Sequence, residues 1–370
     1  MRRPTVVLIL LLIVCAWVGR SFTRAAGAPA GARFPVPVID LRGSGSQIGQ
    51  SHAEQLGAPI RTLFRTYFGR YFTSDAQRNL ALMAASAFEA HLSPEHRQEV
   101  RALAAQSGLD ERQVMLGQCF LDLSAMTACS TVALPAAAAP DGVARFGRNL
   151  DFPSFNVADK NSVVLIVRPA GRYAFASVAW PGMLGVLSGM NEHGLALANM
   201  EVDRGRRLPQ AMPYTMLYRT VLERCRTVAE AVALLESTPR QTANNLMLMD
   251  AAGDRAVVEI TPGKITVRRA PDTAALISTN HQRGQEPDLA GRCERFDLLH
   301  DASKARFGRI DHRGVEKMLA RVAQGRDTLQ SMIFEPGNRL MYLSVGAAAH
   351  TKEYHRLDLR KQLLGESKNH

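Results

Sequence analysis

Met126-Thr-Ala-Cys129-Ser-Thr-Val132 and, shortly downstream, Phe146-Gly-Arg148-Asn-Leu-Asp151-Phe152 carry the reading of this chain. They set a lone thiol among small residues, just upstream of an arginine and a carboxylate. A thiol of ordinary pKa, ~8.5, is only a few per cent ionised at neutral pH, so it needs a base and a positive neighbour. None of the ten histidines stands in a papain-like context that would supply the base. Cutting the Ala128–Cys129 peptide bond would place an α-amine on the same residue, with a pKa of ~7.7–8.0. A substantial minority of such amines is neutral at pH 7, so the cut creates a general base where the thiol proton has to go. Arg148 is suited to stabilise the thiolate and orient a substrate, and Asp151 to hold the amine. Strand positions three apart point to opposite faces, so a bend or strand end must bring both inward. On its own, Arg-x-x-Asp is more often a surface pair than a site.

Working outward, the N-terminus reads Met-Arg-Arg-Pro and then an apolar run over 5–19 that is closed by Arg20. This is the n-region and h-region of an export signal, shorter than the roughly 20 residues of a comfortable membrane span. Ala26-Gly27-Ala28 suits a signal peptidase, and an uncut membrane anchor is the alternative. The expected location is periplasmic or secreted, or anchored to the inner membrane through residues 5–19. Beyond the signal, four cysteines remain: Cys119, Cys129, Cys225 and Cys293. In an oxidising compartment an even count invites disulfides, and a Cys119–Cys129 bridge is the bland alternative to a nucleophile. The net charge of +11 comes from arginines scattered along the chain, without a basic block or interleaved aromatics. That distribution argues against a nucleic-acid partner. No zinc-type spacing or phosphate-binding glycine loop appears, so neither a metal nor an organic cofactor is expected.

Residues 29–42 are rich in Pro, Ala and Gly and end in a short strand, Val36-Pro-Val-Ile-Asp-Leu. From Ser46 to Leu123 the apolar spacing is helical, with Ser93-Pro as a helix start and Gly108 as a stop. From Thr127 the pattern turns to short strands at Arg145–Asp151, Ser162–Arg168, Tyr173–Trp180, Gly185–Gly189 and Leu195–Asn199. A helical pair, Tyr214–Arg224 and Val228–Glu236, follows. Strands at Asn245–Asp250, Arg255–Ile260, Lys264–Arg269 and Ala275–Thr279 form a meander. Helices at Cys293–Ala305 and Arg313–Ala323 precede a hairpin around Pro336-Gly-Asn. Periodicity alone reaches α+β, with antiparallel sheets covered by helices. Trp180-Pro-Gly is a turn whose indole either packs in the core or lines a cleft.

Cys129-Ser-Thr, Gly147-Arg-Asn-Leu-Asp-Phe152, Trp180-Pro-Gly182, Gly189-Met-Asn-Glu-His-Gly-Leu195 and Ser278-Thr-Asn-His281 occur in one order. That order resembles the N-terminal-nucleophile hydrolases of the peptidase C45 group, the penicillin acyltransferase-like proteins. Bile-salt hydrolase and penicillin V acylase are more distant relatives. The resemblance implies a four-layer αββα sandwich with two antiparallel sheets between helical layers. It implies that Cys129 is both the self-processing residue and the nucleophile, with Arg148 and Asp151 beside it. The backbone N–H of Asn191 and the side-chain amide of Asn280 would form the oxyanion hole, and Arg295 would support the nucleophile. The Ala128 before the scissile bond departs from the glycine common in the group. The chain then divides into a signal or anchor (1–28), a helical pro-segment that becomes the small chain (29–128) and a catalytic domain (129–370). The expected activity is amide hydrolysis of a small N-acyl compound through a thioester on Cys129, with the cut-off N-terminal segment as a retained partner. The alternatives are acyl transfer to an amine, or a non-catalytic envelope binding protein of the same fold.

Overall fold

Ser44 and Gln47 open the first helix, α1 (Gly45–Leu63), with a capping box in which each side chain accepts the other's backbone N–H. The computed structural model describes residues 34–124, 128–202, 210–284 and 291–365. The expected signal or anchor over residues 1–28 and the Met126-Thr127 pair lie outside these residues. From Phe34 onward the chain is one unit by its internal contacts. After α1 come a π-turn (Phe64–Phe68), a single turn α2 (Gly69–Tyr71), α3 (Asp75–Glu89), α4 (Pro94–Ser107) and α5 (Glu111–Leu123). Helix α4 starts at Ser93 with proline in its first turn and stops at left-handed Gly108, as the sequence signals require. Helices α1 and α4 cross very closely: a Cβ on Gly49 would lie 2.3 Å from the carbonyl oxygen of Glu99.

The strands form two sheets. The first holds, in spatial order, β1 (Val38–Gly43), β4 (Val163–Pro169), β5 (Phe175–Ala179), β6 (Ser188–Asn191), β7 (Ala196–Glu201), β8 (Asn244–Met249), β9 (Arg255–Ile260) and β10 (Ile265–Arg268). The second holds β11 (Leu276–Ser278), β2 (Ala128–Leu134), β3 (Arg145–Asp151), β12 (Thr328–Glu335), β13 (Leu340–Val345) and β14 (His355–Asp358). The sheets face each other, with β2 against β7 and β11 against β9. Helices α6 (Tyr214–Arg224) and α7 (Val228–Ser237) cover the first sheet, and α8 (Glu294–Ala305) and α9 (His312–Arg321) cover the second. The layering is αββα.

Alternation along β2 sorts its side chains between the two cores. Cys129 and Ala133 join the main core. Val132 and Leu134 face a smaller core with Leu299, Val315 and Leu319 under α8 and α9. Three features depart from the sequence reading. Strand β1 pairs parallel to β4, from Val38↔Val164 to Gly43↔Pro169. This is possible because the whole helical segment lies between them as a crossover. The edge strand β14 and the helix α10 (Leu359–Leu364) were not anticipated, since runs of four and six residues are too short to show a period.

Candidate active site

Strands β2 and β3 pair so that Ala128 faces Asp151, Cys129 faces Leu150 and Thr131 faces Arg148. Paired residues share a face, so Cys129, Leu150 and Arg148 point together into the space between the sheets. Cys129 and Arg148 are completely buried, and Asp151 nearly so. The Arg148 guanidinium donates from Nε to Ser188 Oγ at 2.6 Å and from Nη1 to the Asn149 carbonyl at 2.7 Å. Asp151 ends its strand opposite a register shift in β12 between Thr328 and Gln330. The shift lies in β12 alone: β3 keeps regular register with β2 through Ala128↔Asp151, so the bend expected to bring Asp151 to the face of Arg148 is not found in this strand. The Thr328 hydroxyl donates to Asp151 Oδ1. Burial raises the Asp151 carboxyl to about 6, against the opposing pull of the Thr328 hydrogen bond and the charges of Arg295 and Arg148.

The third part of the cluster arrives from β11 and α8. Asn280 Oδ1 accepts the backbone N–H of Cys129 at 2.8 Å and an Arg295 Nη2 hydrogen at 2.9 Å. Arg295, in the first turn of α8, also donates from Nη1 to the Cys129 carbonyl at 2.6 Å. Asn280 Nδ2 donates to the Glu201 carbonyl at 2.8 Å. The backbone of Cys129 is thus gripped on both sides by Asn280 and Arg295.

Asn191 is not part of this cluster, which corrects the expectation drawn from its motif. Its backbone N–H donates to the Leu195 carbonyl at 3.0 Å. Its Oδ1 accepts from His193 and Leu195, and its Nδ2 donates to the carbonyls of Leu222 and Cys225. It ties the β6–β7 turn to the end of α6, so its N–H is committed within that turn. All four cysteines of the body are free thiols, so no disulfide competes for Cys129.

Sequence reading missed a second group around the thiol. Glu201 and Asp122 are buried, and the Tyr214 hydroxyl is raised by burial and then by the charges of Glu201, Asp122, Tyr218 and Cys129. Nothing in sequence spacing marks these residues, because they come from β7, α5 and α6. Among the described residues no group of three or more His, Cys, Asp or Glu side chains could hold a metal ion.

The sequence model of the acyl-coenzyme A:6-aminopenicillanic acid acyl-transferases matches residues 138–349. The chain belongs to that family. The match begins downstream of Cys129 and takes in Arg148, Asp151, Asn280 and Arg295. Membership of this family places the chain among acyl-transferase-like enzymes. No curated protein matches its sequence. Among solved structures it is similar to an N-acylethanolamine-hydrolyzing acid amidase ortholog of Caenorhabditis elegans. That match has 19% identity and a TM-score of 0.46, covering 56% of this chain and 93% of that one. It is also similar to a variant of conjugated bile acid hydrolase from Clostridium perfringens (17%, TM-score 0.49, 64% and 94%). Penicillin V acylase from Agrobacterium tumefaciens gives 18%, a TM-score of 0.48, and 63% and 86%. These likenesses are distant.

Proposed function

We propose that this chain is an exported precursor that cuts itself at Ala128–Cys129 and then hydrolyses a small N-acyl amide through a thioester on Cys129. The observation that carries the reading is the grip of Asn280 and Arg295 on the backbone of Cys129. In self-processing, Cys129 Sγ attacks the Ala128 carbonyl, the C–N bond breaks, and the nitrogen takes the thiol proton. Water then releases Ala128. The freed amine keeps its hydrogen bond to Asn280 Oδ1, which turns its lone pair away from Asn280 and leaves it available to the thiol. In turnover the same amine accepts the thiol proton and returns it to the leaving amine. Asn280 Nδ2 is the candidate oxyanion donor, and Arg148 the group that orients the substrate.

The acyl group has a fitting place. A cavity of about 110 Å³ is lined by Tyr67, Phe120, Phe152, Trp180 and Leu187, among other apolar side chains. Phe152 is two positions beyond Leu150, the cross-strand partner of Cys129, so the cavity adjoins the inward face that carries the thiol. Its size compares with the ~150 Å³ apolar cavity that admits benzene, which suits a phenyl or short aliphatic acyl tail. Most of its wall comes from the helical front segment. A retained small chain would therefore complete the site.

Intact-mass measurement and N-terminal sequencing of the purified protein test the reading. A new N-terminus at Cys129, absent in Cys129→Ala, is expected, together with release of fluorogenic amine from N-acyl substrates. A single uncut chain without such activity would overturn it. The family's name makes acyl transfer the second reading. Adding an acceptor amine during turnover and measuring its acylation against hydrolysis separates the two.

A further inference from the structure

The segment from Trp180 to Val186 lies between β5 and β6 and belongs to neither strand. It supplies Trp180, Pro181, Gly182 and Met183 to the wall of the apolar cavity. It is buried, so its backbone polar groups need partners other than solvent. Besides two backbone bonds, Met183 N–H to the Trp180 carbonyl and Val186 N–H to the Thr215 carbonyl, they find them in side chains. Gln118 Oε1 accepts the N–H groups of Leu184 (2.7 Å) and Gly185 (3.2 Å). Gln118 Nε2 donates to the carbonyls of Gly182 (2.9 Å) and Val114 (3.0 Å). All four hydrogen-bonding positions of this amide are therefore used. His52 Nε2 accepts the Gly182 N–H at 3.1 Å, and Arg219 Nη1 donates to the Leu184 carbonyl at 3.2 Å. The Thr215 hydroxyl fixes the Gln118 backbone in turn, at 2.8 Å. Gln118 and His52 are fully buried and belong to α5 and α1, in the helical front segment.

From this geometry we infer that Gln118 and His52 are positioning residues that set where the Trp180–Met183 wall stands, and hence which acyl length the site accepts. The inference rests on the acyl pocket of the proposed function. Two side chains of the front segment replace the strand partner this wall lacks, and neither touches the reacting atoms. Removing the Gln118 amide frees three backbone groups of the wall at once (Gly182 O, Leu184 N and Gly185 N). The wall then moves while the cluster at Cys129 stays in place.

Trp180 is one of two tryptophans in the chain, the other being Trp17 in the signal segment. Its fluorescence in a variant lacking residues 1–28 therefore reports on this wall alone. The experiment titrates phenylacetate, hexanoate and decanoate into Cys129→Ala protein of that form, with and without Gln118→Met or His52→Phe. The same front-segment substitutions are read for hydrolysis of the matching N-acyl amides with Cys129 intact. Expected are a changed order of affinities among the three acids, a shift in the preferred acyl length, and a KM change of about tenfold with kcat within twofold. An unchanged order in a folded Gln118→Met protein overturns the inference. Should that variant fail to fold, Gln118→Glu keeps the two accepted hydrogen bonds and loses the donation to Gly182. A smaller shift in the same direction then supports the inference, and none overturns it. If no acid perturbs Trp180 in the parent protein, the acyl-pocket reading itself fails.

Discussion

Asn280 does the most with a single side chain. One oxygen holds the Cys129 backbone N–H and the Arg295 guanidinium, while the amide nitrogen faces Glu201. Asn280→Ala is expected to lower kcat/KM by ~10²–10³, the usual cost of losing an oxyanion donor. It should also slow cleavage at Ala128, measured by mass spectrometry over time. Asp151 sets the acid side of the pH profile. Burial raises it to about 6, so its ionised form is lost as pH falls through that value. If the carboxylate holds the Cys129 amine, kcat/KM declines below about pH 6. In Asp151→Asn the rate is low throughout and that limb is gone. Cys129, Arg148 and Asp151 stood out as candidates because they lie close together in sequence, and they fall on paired strands. Asn191 was misread because Asn-Glu-His-Gly has the same residues whether it offers a backbone donor or ties a turn.

At the scale of elements, the site depends on how α9 lies on the second sheet. Gly147, between Phe146 and Arg148, leaves no room on its outer face: a Cβ there would meet Val315 Cγ1 at 2.6 Å and Val132 Cγ1 at 3.3 Å. Gly147→Ala is therefore expected to push α9 outward and cost about 1–3 kcal/mol, read as a lower midpoint in denaturant unfolding. Most element positions followed from local pattern, as with Arg145–Asp151, Tyr214–Arg224 and Arg255–Ile260, whose ends coincide with the structure. The parallel pairing of β1 did not follow from pattern, because a strand's apolar alternation carries no information about its partner's direction. The β12 register shift opposite Asp151 was equally hidden, since it arises between two strands far apart in sequence.

Over the whole molecule, the helical front segment and the chain that follows it meet through buried charge. Arg219 binds Glu99 at 2.9 and 2.7 Å and Glu223 at 2.7 Å, and His96 Nε2 lies 3.2 Å from Glu223. Glu99 and His96 belong to α4, and Arg219 and Glu223 to α6. Arg219→Met strands two buried carboxylates and is expected to cost about 3–5 kcal/mol. In cut protein it should also let the small chain dissociate on size exclusion at lower denaturant. A pH test concerns His52, which burial and then the Arg219 charge lower to about 4. The unfolded chain binds this proton more readily, so His52 contributes stability above its unfolded pKa of 6.5 that is lost as pH falls toward 4. The contribution is on the order of 3 kcal/mol. Asp122, which burial raises to about 7, acts the opposite way, losing stability as pH rises from its unfolded 3.8 through 7. The difference in stability between wild type and His52→Gln should therefore shrink from pH 7 to pH 4, and the reverse trend would sink this assignment. By itself the sequence determined most of the elements and the αββα class, and it singled out Cys129 with Arg148 and Asp151 as candidates. Each of these rests on local spacing or on motifs in fixed order. Only the tertiary structure decided that Asn280 and Arg295 grip Cys129, that Asn191 does not, and that Gln118 and His52 hold the cavity wall. Those contacts join residues far apart in the chain, and burial with hydrogen-bond geometry, not residue type, selects the partner.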